Sequence, residues 1–343
     1  MKLSIDKQIT YLKHQKGISF NEMSEESAKT VLQEHTYYYK VTCFRKNFSK
    51  DVQGKYLNVD FALLNDLAVI DMRLRYLLLH LTLDLEHALK TRLIESITAS
   101  YEDGYSIVEE FNEYEREKYE NRVRNTSPGM HPAVYRDVQS MHMRKVRSTE
   151  YDYHLINTYN PKNQDMKPLP IWAFLEKISY GGLEKFIRFY VERKKNNYKM
   201  FKAATDLLMY SKRIRDAAAH NRPILINIGN NHHAGTIKKR VSSDVERFII
   251  QRSGYSKDKP EHAKLMKRMM NIKVHDLMCV FMLHHLYVAS TAIRKTRQAD
   301  IDSLIVRASY RKHLYLSHPN MINVFDLFAK VLHSKKLSLA PNN

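Results

Sequence analysis

From Phe61 to Ser100 the chain runs for about ten helical turns without a glycine or a proline. Within that run Leu63, Leu67, Ile70, Leu74, Leu77 and Leu81 alternate spacings of four and three. Such spacing lays the six on one stripe, the seam of a long helix packed against other helices. A seam of that length needs partners of similar character, so the expected fold class is all-α, a bundle with long core helices. The remaining sequence agrees. Gly and Pro number only 9 each in 343 residues, too few for turn-rich β architecture, and neither sustained alternation nor an internal repeat is present.

Further helices follow from pattern and capping residues. Residues 4–16 form a short amphipathic helix closed by Gly17, and Ser24 caps the next one, with Glu25 and Glu26 set against its dipole. The charged stretch 105–125 reads as a solvated helix or lid. Pro161, Pro168 and Pro170 mark a loop. Helices are expected again at 171–180, with a pause at Gly181-Gly182, then over 183–194 and 198–219, where Pro223 stops the run. Later helices are expected at about 242–253, 261–296 and 318–335. The most apolar run, Leu277 to Ile293, is shorter than the roughly 20 residues of a membrane span. It carries His284 and His285 and reads as a core helix with satisfied core histidines.

Composition narrows the partners. Two cysteines, Cys43 and Cys279, cannot build a disulfide framework, so the expected compartment is the cytoplasm. Lys2, Asp6 and Lys7 interrupt any signal-peptide pattern at the start. A net charge of +19 attracts polyanions and releases counterions when phosphates replace them. RNA and an anionic membrane surface both fit that description. Lys238, Lys239 and Arg240 are the densest short basic cluster, a candidate RNA-binding element beside His232 and His233, although a solvated loop has the same composition.

Most catalytic signatures are missing. The sequence contains no glycine-rich phosphate loop, no G-x-S-x-G, no CxxC and no HExxH, and its adjacent histidine pairs diverge by about 100° on a helix. Neither a metal nor another cofactor is implied. The segment Arg215-Asp216-Ala217-Ala218-Ala219-His220, followed by Asn221-Arg222-Pro223, stands out instead. Arg and His five apart lie about 140° apart on an ideal helix and can converge where the helix ends. Three alanines between them leave room for close approach. Arg supplies a fixed cation for a phosphate, and His can move a proton near neutral pH. Cleavage of RNA by its own 2′-hydroxyl needs those two groups and no metal. The same residues also suit a plain helix C-terminus, where Arg and His complement the dipole. Arg-to-His spacings of four to six recur about ten times in the chain, so spacing alone does not choose between these readings.

Five ordered elements carry a resemblance over most of the first 226 residues. They are Gln8-Ile9-Thr10-Tyr11-Leu12 through Gly17; Tyr37-Tyr38-Tyr39; Asp71-Met72-Arg73-Leu74-Arg75 with Leu85-Glu86-His87-Ala88-Leu89-Lys90; Trp172 with Leu175 to Gly181; and Arg215 to His220. Together they resemble the bacterial abortive-infection proteins of the AbiD/AbiF type, in the HEPN superfamily of helical nucleases. The resemblance implies a HEPN-type bundle over 1–226, an RNA-cleaving toxin of antiphage defence, and a homodimer facing two motifs together. It implies no membrane partner. Arg215 and His220 would be catalytic, Asp216 and Asn221 supporting, and Lys212, Arg213 and Arg222 would join Lys238, Lys239 and Arg240 in binding RNA. Asp216 stands where many members have Asn. Some relatives are restrained by a structured non-coding RNA, which the charge accommodates. Asp71, Arg75, Glu86 and Lys90 read either as an exposed i,i+4 ladder or as a network behind the site. Residues 227–343 fall outside the resemblance and are expected to be a helical C-terminal extension. The alternative function is a non-catalytic RNA-binding scaffold.

Overall fold

Asp60 shows how the long helix begins. Its carboxylate accepts the Ala62 N–H (2.9 Å) through one oxygen and the Ser19 hydroxyl and Asn21 N–H (both 2.8 Å) through the other. That cap tethers the N-terminal segment to the start of a 38-residue helix, Phe61–Thr98. The structure, a computed structural model, describes residues 3–125, 169–229 and 241–333. Among them are thirteen α-helices, two isolated β-bridges and no sheet, so the fold is all-α.

In order, the helices are α1 (Ile5–Thr10), α2 (Glu25–Thr30), α3 (Tyr38–Thr42), α4 (Phe61–Thr98) and α5 (Ser106–Arg124). After them come α6 (Ile171–Lys177), α7 (Tyr180–Glu192), α8 (Lys202–Ala219), α9 (Ser243–Ser253), α10 (Pro260–Met269), α11 (Ile272–Tyr287), α12 (Thr291–Ser309) and α13 (Pro319–Leu332). Two compact units emerge from the contacts. One joins Met1–Asp84 to Tyr210–Asn343, and the other is Leu85–Met209. Residues on both sides of position 226 thus belong to the first unit.

Leu63, Leu67, Ile70, Leu74, Leu77 and Leu81 are all buried, as the seam spacing requires. Ala28, Leu12 and Ile9 of the first two helical segments are buried as well. Ser24 caps α2 by accepting the Ser27 N–H, as its place before two glutamates suggests.

The second unit departs from expectation in two places. The 105–125 stretch is a helix, but it is core and not merely solvated. Ile107, Val108, Phe111 and Tyr114 turn inward, and the Phe111 ring meets Phe174, Phe186 and Phe189 at 5.1–5.8 Å. Each such aromatic pair is worth about 0.5–1.5 kcal/mol beyond its buried area. Nor does the chain pause at Gly181-Gly182. The break falls earlier, at Ile178, and Ser179 caps α7 by accepting the Gly182 N–H. A Cβ on Gly182 would lie 2.5 Å from Ile178 Cγ1, so packing demands the glycine there.

In the first unit the expected single run over 261–296 is three helices. Asn271 caps α11 by accepting the N–H groups of Lys273 and Val274, and Ser290 caps α12 by accepting that of Ile293. Polar caps inside an otherwise apolar run divided it. Helix α11 is core, with Val274 through His284 all buried. His284 is satisfied as expected, its Nε2 lying 3.2 Å from Asp84 Oδ2. His285 is exposed, a correction to the core reading. Among the described residues no helix is long and apolar enough to cross a membrane.

Candidate functional site at the end of α8

Helix α8 ends by a C-terminal motif built around Asn221. The Asn221 N–H donates to Ala218 O (3.0 Å) and the Arg222 N–H to Ala217 O (2.8 Å), while Asn221 sits at φ 53°. These are the paired bonds of a Schellman ending, which needs a residue tolerant of the left-handed region. Asparagine is the best choice after glycine. The helix therefore stops where the Arg–His reading needs it to, with His220 one residue beyond its last turn. Pro223 only follows an ending that Asn221 has already made.

His220 and Arg222 are exposed, and Arg215 is half-buried. The alanine face is open only in part, because Ala219 is exposed but Ala218 packs into the core. The Arg215 guanidinium lies 3.4 Å from Asp216 Oδ1, and Lys212 pairs with the other Asp216 oxygen. Partial burial raises the Asp216 carboxyl, but Lys212 and then Arg215 outweigh it and hold the group below its usual range. Asp216 is thus an anion that partly neutralises the cations around it. Arg213 reaches toward Asp276 (3.7 Å) and covers the Tyr210 ring. Lys238, Lys239 and Arg240 lie outside the described residues.

Behind the exposed residues the chain from Asn221 to Gly229 is held along its length. Asp71, wholly buried on α4, accepts the N–H groups of Ile224 (2.7 Å) and Leu225 (2.8 Å) with one oxygen and binds Arg75 (2.6 Å) with the other. Lys40 of α3 donates to the Asn221 carbonyl, and Lys273 donates to that of Ile226 (2.5 Å). Asn47 donates to Leu225 O (2.9 Å) and accepts the Gly229 N–H (3.2 Å), and Asn271 donates to Asn227 O (3.0 Å). Burial pushes the Asp71 carboxyl up, against the pull of the two N–H groups and Arg75. Burial likewise pushes Lys40 and Lys273 down. Lys40 and Lys273 are half-buried, and the loop's backbone carbonyls supply their partners, as its N–H groups do for the buried Asp71.

Of the two readings of Asp71 and Arg75, the buried network is the one observed, and an exposed ladder is ruled out for this pair. Asn47, Asn271 and Lys273 were missed by sequence reasoning. Asn271 had a signal, a cap-type residue ahead of an apolar run, whereas Lys273 had none. Tyr37 and Tyr39, two of the three consecutive tyrosines, are more than half exposed on the segment that carries Lys40. Exposed aromatic faces next to cations suit stacking with nucleobases. Cys43 is inert, its buried thiol pushed up to about 12. Among the described residues no three His, Cys, Asp or Glu gather within metal-binding range.

A family model described as Abi-like protein matches residues 30–226. That span holds the α8 ending, Asp71 and Arg75. Neither a curated protein nor a solved structure matches the chain.

Proposed function

Because this chain belongs to the Abi-like protein family, we propose that it is a HEPN-type endoribonuclease that acts as a toxin in antiphage abortive infection. One observation carries the reading. A fixed cation and an exposed histidine lie at a helix end whose following loop is clamped from behind by Asp71. Such clamping is what a site needs to hold reacting groups in place without rearrangement.

In this mechanism His220 removes the proton from a ribose 2′-hydroxyl, and that oxygen attacks the adjacent phosphorus. Arg215 stabilises the charge of the phosphorane, and the 5′-oxygen leaves with a proton from a histidine. The products are a 2′,3′-cyclic phosphate and a 5′-hydroxyl. Asp216 sets the position of Arg215 and Lys212, and Asn221 ends the helix so that His220 stays exposed. A second histidine for the leaving group comes from a two-fold partner, which makes the active unit a homodimer. Arg213 and Arg222 contact the RNA backbone, as do Lys238, Lys239 and Arg240. A structured RNA is accommodated by the same charge as a restraining partner.

The test is cleavage of labelled RNA by wild type, His220→Ala and Arg215→Ala, with EDTA and with 2′-deoxy substitution at the cut. Each substitution should lower the rate by about 10²-fold or more without changing helical content. Full activity in His220→Ala overturns the assignment. Tight binding without cutting by wild type points to the scaffold alternative.

A further inference from the structure

Helices α10 and α13 face each other across a groove of about 610 Å³ in the C-terminal part of the first unit. Lys264, Lys267 and Arg268 line one wall and Asn320, Asn323 and Lys330 the other, with Leu265 and Leu327 also in its lining. Their spacing follows from the helix repeat. Residues 264 and 268 lie one turn apart on α10, and 320, 323 and 330 share one face of α13.

The cations are not accounted for by the protein's own anions. Among the described residues none of the four forms an ion pair within 4 Å, although Glu261 and Asp326 line the same groove. Arg268 is half-buried, and both its terminal nitrogens bond only Asn320 Oδ1, at 3.3 Å. Burial pushes this guanidinium below its usual value, the mark of a cation lacking an anionic partner. At the other end Lys330 bonds the Tyr255 hydroxyl and lies over its ring. From Asn320 to Lys330 the wall is about 15 Å long, at about 1.5 Å per residue. Three cations on the α10 wall face two amides and Lys330 along that length, an arrangement that suits a run of phosphodiesters and their riboses more than a single small anion.

The groove also touches the candidate site's loop. Gly229, whose N–H is held by Asn47, lines it, and a Cβ there would lie 2.6 Å from Met321 Sδ. Bare backbone at the loop's end therefore borders the groove.

We infer that the α10–α13 groove is an RNA-backbone exosite, which holds a single-stranded or looped stretch of the RNA whose cleavage is proposed for Arg215 and His220. This rests on the ribonuclease reading, and it gives the C-terminal helices a role of their own in choosing long RNA over short.

The experiment uses the full chain in the His220→Ala background, so that the probe is not consumed. Binding of a fluorescent RNA oligonucleotide is followed by anisotropy over a salt series. Lys264→Ala/Lys267→Ala/Arg268→Ala should weaken binding about tenfold or more. It should also reduce the log–log salt slope by about 2, at 0.7–0.9 per lost contact. Asn323→Asp, an exposed and conservative change, should weaken binding about threefold or more, and it serves if the triple variant fails to fold. A control with equal charge loss, Lys7→Ala/Lys295→Ala/Lys312→Ala, should bind far better than the groove variant. With an active His220, the groove variant should cut a dinucleotide at the wild-type rate and long RNA with a raised KM. Equal losses in groove and control variants, unchanged binding in both groove variants, or displacement by inorganic phosphate or AMP as effective as by RNA each overturns the exosite. Failure of the parent protein to bind or cut any RNA defeats the ribonuclease reading itself, a result separate from these.

Discussion

Helix α4 carries two acid–base pairs with the same i,i+4 spacing, Asp71–Arg75 and Glu86–Lys90, and they do different jobs. Both form, at 2.6 and 2.9 Å. Asp71 is wholly buried and gives its second oxygen to two backbone N–H groups some 150 residues away in sequence. Glu86 and Lys90 remain partly exposed, at 16% and 19%, and they pair with each other. A pair on a helix surface stabilises that helix by a few tenths of a kcal/mol. A buried carboxylate that completes the hydrogen bonding of a distant loop is different, because its removal leaves several groups unsatisfied at once. The same pattern in sequence therefore marks a local prop in one place and a long-range latch in the other.

The largest effect expected from this contrast is in Asp71→Ala. It strands the Ile224 and Leu225 N–H groups and the Arg75 guanidinium, so unfolding free energy should fall by about 3–5 kcal/mol and RNA cleavage should disappear. Urea denaturation checks the first and the RNA assay the second. A loss no larger than in Glu86→Gln would erase the distinction. Asp71→Asn keeps an oxygen for the two N–H groups but removes the charge facing Arg75. It should cost about 1–3 kcal/mol and spare part of the activity.

Acid sharpens the same contrast. Burial raises the folded Asp71 above its ordinary value, so between the two values the folded state binds more protons than the unfolded chain. That contribution is fully present below the ordinary carboxylate range and is lost as pH rises through the raised value. Wild type should therefore gain stability relative to Asp71→Asn as pH is lowered from 7 toward 4. A gap that narrows instead means that the N–H groups and Arg75 outweigh burial.

Smaller effects are expected at the loop's start. Asn221→Ala forces a Cβ residue without a polar side chain into the left-handed region and should cost about 1 kcal/mol, whereas Asn221→Gly should be neutral. Equal losses in both would mean that the side chain, and not the backbone angle, holds the ending. The smallest change belongs to Glu86→Gln, at most about 1 kcal/mol, with cleavage unaltered. Thermal melts resolve both.

How much of this was legible follows from the distance over which each feature acts. The α4 seam could be read residue by residue, since apolar spacing reports a buried stripe directly. So could the caps at Ser24 and, in principle, at Asn271 and Ser290, where one side chain acts on its own backbone neighbours. The end of α8 was legible too, though Pro223 drew attention from Asn221. The aromatic face of α5 was hidden by abundant charge around Phe111. The latch was harder still. Asp71 and Arg75 show only as a helical pair in sequence, and nothing there says that the carboxylate's other oxygen meets Leu225. Lys273 and Asn47 lie still further from any local pattern.

That latch also sets a clock. Asp71 and the Leu225 N–H it holds are 154 residues apart, and Lys273 follows 47 residues after Ile226. A ribosome adding about 5–20 residues per second needs roughly 8–30 s to cover the first interval and several seconds more for the second. When the loop emerges, Lys40, Asn47 and Asp71 are already made, whereas Asn271 and Lys273, which hold the Asn227 and Ile226 carbonyls, follow only in the second interval. A polypeptide stalled in that second interval would carry the Arg215 and His220 side chains on a loop held by its N-terminal partners alone. For a protein proposed to cut RNA, the order of synthesis leaves the other side of the loop's frame open until Lys273 has been added.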